Sequence, residues 1–358
     1  MRKTRSFILL LLLLTGACSS ADDSASGNGN AGASVNSEAD QPDDKDETEE
    51  NDPVSSNDSN ENKENMYPLS GKKTDNSVDH RAFGLMIEDS ALSRPQQGLN
   101  DADIVYEALT EGRITRLLAV YHSQEAERIG NVRSARSYFV EAAEQLNAGF
   151  VSAGGSPDAR NRLESGNDFV DALQYTDYFD RIDSRPAPHD VYTSVGSVFS
   201  AAEEAGVATD GPKPPELPFT DELSNAQGEQ AEHVHIDLNS ADNNVEWEFD
   251  ERYGYMRTVG GEAMKDKQSG SPQSARNVLL VETGHDVVDD QGRRDIDIES
   301  GGKGLLLQEG LVREVSWRNE GGLILPYKDE TELSLLPGQT WIHFIEKAGG
   351  GLNDRVDF

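Results

Sequence analysis

The chain has 358 residues, with 32 Lys+Arg against 66 Asp+Glu, a formal charge of −34, 35% apolar residues and one cysteine. So acidic a surface repels phosphate backbones and excludes a free-standing nucleic-acid binder, and a single thiol excludes a disulfide scaffold and a cysteine-based zinc site. No apolar run reaches the roughly 20 residues that a membrane-spanning helix needs.

In chain order, Arg2, Lys3 and Arg5 precede a short apolar run at 7–14, and the small residues Thr15, Gly16 and Ala17 lead to Cys18. This is the pattern of a secretory leader over 1–17. Thr-Gly-Ala-Cys directly after the apolar run resembles a bacterial lipobox, which makes Cys18 the expected lipidation site. Thr15 departs from the Leu more usual at that place, and Leu14 lies one residue further out. A lipid-anchored chain would begin at Cys18 and sit on the extracytoplasmic face of the cell membrane; two or more acyl chains give stable anchoring. Residues 18–65 are almost all Ser, Asn, Asp, Glu, Gly and Ala, with 14 acidic and 2 basic residues after Cys18. Such a segment buries too little apolar surface to offset its ordering entropy and is expected to be a disordered, extended tether. The remaining 293 residues still carry −25 with little lysine, which resembles adaptation to high salt.

Residues 66–210 alternate strand-like and helix-like segments and predict an α/β, or α+β, N-terminal domain. Strands are expected at 82–87, 114–121 and 150–153. Helices are expected at 134–146, with Ser134 as a candidate cap, and at 193–205, with Thr193 at the start and Gly206 at the end. The stretch 211–230 opens with four prolines between Pro212 and Pro218 and reads as a linker. Residues 231–350 show short strands at 233–238, 245–249, 253–259, 277–282, 305–308, 312–317 and 341–345. They predict a mostly β C-terminal domain, a sandwich or barrel.

Arginines amid apolar segments are the unusual feature of the first domain. Arg113 and Arg116 flank a strand start, and Arg133 and Arg136 flank Ser134 and Ala135. Convergence of Arg116, Arg133, Ser134 and Arg136 at a helix N-terminus would suit phosphate or carboxylate. The alternative is structural pairing with Glu107, Glu111 and Glu141. Gly154, Gly155 and Ser156 lie in Ala-Gly-Gly-Ser-Pro between a strand and a helix, where the backbone can approach a ligand or simply turn. His189 sits in a loop stiffened by Pro186 and Pro188, as a general base or a satisfied loop histidine, with the Tyr192 hydroxyl nearby in sequence. His233 and His235 share a strand face without a third ligand at metal-site spacing, so no metal and no cofactor is expected.

These residues carry a resemblance. Tyr67-Pro68-Leu69-Ser70-Gly71, Arg94-Pro95-Gln96-Gln97-Gly98-Leu99, Ala102-Asp103-Ile104-Val105-Tyr106-Glu107, Val132-Arg133-Ser134-Ala135-Arg136, Ala187-Pro188-His189 and Leu336-Pro337-Gly338-Gln339-Thr340-Trp341 resemble the YerB-type lipoproteins of Gram-positive bacteria. Ile114-Thr115-Arg116 and Ala153-Gly154-Gly155-Ser156-Pro157 belong to the same pattern. Where that family has His before Ala-Gly-Gly-Ser-Pro and often Gly in place of Arg113, this chain has Ser152 and Arg113. The resemblance implies a location and a two-domain layout, and brings no reaction. The expected function is a binding or accessory protein of the cell envelope, held to the membrane by its lipid, with an envelope protein or an anionic glycan as partner. The alternative is an enzyme acting on a phosphate-containing envelope substrate held by Arg133 and Arg136. A solute-binding lipoprotein is disfavoured because the two halves are dissimilar.

Overall fold

The computed structural model describes residues 65–166, 168–223 and 227–358. The leader, Cys18 and the acidic stretch up to residue 64 lie outside the described residues, as do the expectations made for them. No helix among the described residues is long and apolar enough to cross a membrane.

The frame is one open, twelve-stranded sheet to which both halves of the chain contribute. Its central strand is the last long one, Thr340–Glu346. It pairs in parallel with Asn277–Thr283 on one side and with Ile104–Leu109 on the other. From there the C-terminal half adds Gly302–Gln308, Leu311–Glu320 and Leu323–Lys328 in antiparallel order. The N-terminal half adds Thr115–Tyr121 and Phe83–Glu88 antiparallel, then Gly149–Ser152 and Phe169–Asp171 in parallel. The central strand reads Thr-Trp-Ile-His-Phe-Ile-Glu without polar alternation because both of its faces are covered.

Successive side chains point to opposite faces, so one strand feeds two cores. Val105, Leu117, Val278, Leu280 and Trp341 share a core with Val198, Ala201 and Ala202 of helix α3 (Val195–Ala205) and with Val234, Trp247 and Tyr255. The last three belong to a second, six-stranded sheet built around His233–Ile236, Val245–Asp250 and Gly254–Val259. Tyr106, Leu118, Leu279, Ile342 and Phe344 face the other way, in a core with Phe139 and Ala143 of α1 (Ser137–Gln145) and Leu163 of α2 (Pro157–Ser165). The N-terminal half is thus α/β and the C-terminal half mostly β, as the sequence predicts. A sandwich forms where the small sheet covers the shared one, but the large sheet stays open and no barrel closes. The Pro-rich stretch contains neither helix nor strand from 211 to 218.

Two caps differ from expectation. Ser134 does not start α1; its hydroxyl donates to the Ala153 carbonyl at 3.0 Å, which keeps 133–136 extended beside Gly155, and Arg136 becomes the N-cap. Thr193 ends the strand Val191–Thr193 and donates to the Tyr178 carbonyl, so Ser194 caps α3 by accepting from the Ser197 N–H at 3.1 Å. Gly206 closes α3 at φ +73°, the left-handed conformation that favours glycine.

Candidate anion-binding site

Arg116, Arg133, Arg136 and Arg293 line one open cavity of about 390 Å³ together with Glu88 and Glu111. Ser134, Gly155 and Ser156 complete the wall beside them. Arg116 lies at the start of its strand, directly across from Glu88. Arg136 reaches in from the N-cap of α1, whose N-terminus no side chain caps. Ser156 caps α2, so two helix N-termini border the same space. Arg293 comes from the other half of the chain, on the hairpin formed by His285–Val287 and Arg294–Ile296.

The pairing inside the cavity is incomplete. Arg116 Nη1 donates to the Ser134 carbonyl at 3.0 Å, and its Nη2 lies 3.5 Å from Glu111 Oε2. Arg136 donates to the Ala135 carbonyl at 2.6 Å and pairs with Glu111, while its buried Nε has no partner. Arg133 Nε sits 3.0 Å from Glu88 Oε2, an ion-pair contact without hydrogen-bond alignment. Arg293 is held by Asp289 at 2.9 Å. Burial first, with the charge of Arg136 and less so of Arg133, outweighs Glu111 and pulls the Arg116 guanidinium down to about 10. Burial works to raise Glu111, but Arg116 and Arg136 hold its carboxyl below the usual range.

Of the residues singled out in the sequence, Arg116, Arg133, Ser134, Arg136, Gly155 and Ser156 meet at this cavity. Gly154, His189 and Tyr192 do not line it. Gly154, at φ +71°, shapes the turn and accepts the Ala135 N–H at 2.9 Å. His189 stands behind the wall, its Nδ1 2.8 Å from Glu88 Oε2. Tyr192 is buried against Gly130, with the Arg128 guanidinium 5.3 Å from its ring centre. The pairing of arginine with Glu111 occurs, but Glu141 pairs with Arg162 and Arg113 pairs with Glu346 at 2.7 Å. Ser152, where the resembling family has His, is buried and donates to the Gly154 carbonyl at 2.8 Å. His233 and His235 both approach Glu246, at 3.4 and 3.8 Å, and no set of three or more His, Cys, Asp or Glu side chains is arranged to hold a metal among the described residues.

A second ionic cluster lies between the halves and was missed in the sequence. Arg257, fully buried, places Nη2 2.7 Å from Asp89 and 2.8 Å from Glu107. Asp89 also meets Arg94 and accepts from Gln96, and Glu107 accepts from the Trp341 indole at 3.1 Å. The guanidinium lies 4.9 Å from the Trp341 ring centre. Burial alone would raise Asp89, but Arg257 and Arg94 hold it down to about 2. Glu107 goes the other way: burial, helped by Asp89, outweighs Arg257 and raises its carboxyl. His343 Nε2 accepts the Trp247 indole N–H at 3.1 Å, so that nitrogen carries no proton. Burial, then Arg257, pushes His343 well below the usual histidine range.

Glu88, Thr110 and Arg293 are cavity residues that the sequence did not mark. Glu88 ends an apolar strand. Arg293 lies far along the chain, and only the folded hairpin brings it close.

The comparisons bear on this architecture. Residues 69–208 match the family model "Protein of unknown function (DUF3048) N-terminal domain", and 234–342 match the corresponding C-terminal domain. The chain is 40% identical over 282 residues to "Putative lipoprotein YerB" of Bacillus subtilis (strain 168), covering 78% of this chain and 85% of that protein. The crystal structure of the YerB protein from Bacillus subtilis superposes with a TM-score of 0.74 at 37% identity, covering 82% of this chain and 99% of that one. The family models lie on the two halves that share the large sheet, and the chain belongs to this two-domain DUF3048 family and is a relative of YerB.

Proposed function

We propose that the protein is a lipid-anchored binding protein of the cell envelope that holds an anion of the phosphate class in the arginine cavity. The observation that carries this reading is the charge count. Four arginines face two glutamates in one cavity of a chain whose formal charge is −34. Counting Asp289 behind Arg293 still leaves one cation in excess. Arginine forks and the uncapped N-terminus of α1 match the oxygens of phosphate and carboxylate. The leader, the Thr-Gly-Ala-Cys motif at Cys18 and the description of the YerB relative as a lipoprotein support the anchor. The anion would belong to an envelope glycan, a lipid headgroup or a protein partner.

Binding is favoured over nucleophilic catalysis because the hydroxyls in the wall are already engaged. Ser134 donates to the Ala153 carbonyl, Thr110 to the Ile114 carbonyl, and Ser156 accepts from the Ala159 N–H. The test is thermal melting of the full chain in detergent, with phosphate or pyrophosphate against chloride at equal ionic strength. Phosphate should raise the melting temperature of the wild type and leave the Arg133→Gln, Arg136→Gln double variant unmoved. An equal response to chloride would sink the reading. The anchor is tested separately by Cys18→Ser, which should move the protein from the membrane to the soluble fraction.

A further inference from the structure

Among the described residues, Glu111 is the only carboxylate in the cavity that touches Arg116 and Arg136. It rides on the loop between the strands Ile104–Leu109 and Thr115–Tyr121. The backbone of that loop is fixed. Thr110 N–H donates to the Ile114 carbonyl at 2.8 Å, and Arg294 Nη2 donates to the Gly112 carbonyl at 3.3 Å. The Glu111 side chain is less constrained. It is 31% exposed, its carboxylate is held by the two arginines and its own backbone N–H, and nothing lies within 4 Å of where a side chain on the adjoining Gly112 would begin. Both arginines, by contrast, are under a tenth exposed and need an anion beside them whether or not a ligand is present.

We propose that Glu111 is the built-in occupant of the cavity: its carboxylate holds the place on Arg116 and Arg136 that the phosphate-class anion takes, and the anion binds by displacing it. The inference rests on the anion-binding reading and adds how that site selects. A tethered carboxylate competes at a high effective concentration. A free carboxylate or chloride brings one charge and offers nothing that Glu111 lacks, so it does not displace Glu111. Phosphate brings more than one charge near neutral pH and a third and fourth oxygen, enough to satisfy Arg133 as well. Displacement needs only side-chain rotation toward solvent, with the loop backbone in place. Glu111 is therefore a specificity-determining residue, which sets the cavity against monoanions.

The experiment is isothermal titration of the full chain in detergent with inorganic phosphate and with acetate, in wild type and Glu111→Gln. Glu111→Gln should bind phosphate about fivefold tighter or more. It should also gain measurable acetate binding at concentrations where the wild type shows none. Its melting temperature without ligand should fall, since two buried guanidinium groups lose their partner, and phosphate should restore it. Phosphate binding to the wild type with equal or weaker binding to Glu111→Gln would overturn the inference and leave the anion-binding reading standing. No phosphate binding by either protein would remove both. Should Glu111→Gln not fold, Glu111→Asp keeps the charge with a shorter reach; tighter phosphate binding than wild type supports the displacement, and unchanged affinity overturns it.

Discussion

The Arg257 cluster and the arginine cavity use the same side chains, yet they obey different rules. In the first, two arginines (Arg94 and Arg257) meet two carboxylates (Asp89 and Glu107), and the central guanidinium is fully buried. In the second, four arginines meet two carboxylates around open space. A charge taken out of water costs several kcal/mol unless it is paired, so a dry cluster must balance within itself. An open cavity need pair only its buried guanidinium groups, here Arg116 and Arg136 with Glu111, and the excess carried by the more exposed Arg133 and Arg293 can be left for something that arrives from outside. The balanced cluster joins the halves of the chain, Asp89 and Glu107 coming from one and Arg257 from the other. The unbalanced one gathers side chains of both halves around a void.

The contrast can be broken in several places. The largest effect is expected from Arg257→Met, which leaves Glu107 buried without its arginine and Asp89 with Arg94 alone. Loss of one partner from a buried pair costs about 3–5 kcal/mol. Urea unfolding should show the whole described unit weakened in a single transition, and a loss below about 1 kcal/mol would contradict the balance argument.

Next comes pH. His343 is held neutral in the folded state, below its ordinary value. Its contribution is therefore complete above the usual histidine range and is lost as acid protonates the unfolded chain. Asp89, held down to about 2, adds a second loss as pH falls from its unfolded range toward that value. The urea midpoint should drop between pH 7 and 5, and His343→Gln, which can still accept from Trp247, should flatten that slope. An unchanged slope would count against a neutral His343.

A smaller effect is expected in the cavity from Arg293→Gln. Phosphate affinity should fall about three- to fivefold, because Arg293 is already shared with Asp289, while the melting temperature without ligand should barely change. The smallest belongs to the surface pair Arg162–Glu144, at 2.6 Å and well exposed on both sides. Glu144→Gln should cost under about 1 kcal/mol in the same urea assay.

The sequence was most legible where one physical requirement dominated. Apolar runs such as Leu-Leu-Ala-Val at 117–120 and Val-Leu-Leu-Val at 278–281 mark buried strands, and Gly206 marks the end of α3. It was less legible where charge interrupts an apolar run. The strand Ile104–Leu109 contains Glu107, which looks like a surface residue until Arg257, 150 positions later, is seen to pair with it. Ser134 looks like a helix cap because its competing partner, the Ala153 carbonyl, is 19 positions away. Local spacing showed the arginines grouped about Ser134, but the cavity also depends on Glu88 from a neighbouring strand and Arg293 from the other half. Such long-range pairings leave no mark in local patterns.

The claim on which the rest depends is that the cation excess of the cavity is there to meet a phosphate-class anion. Equilibrium dialysis of labelled phosphate against the full chain, with Arg136→Gln alongside, measures it most directly. The account predicts one phosphate per chain for the wild type and at least tenfold weaker binding for the variant, of the order expected for removing a charge-assisted pair. Saturable binding that Arg136→Gln leaves unchanged, or no binding to the wild type, would contradict it.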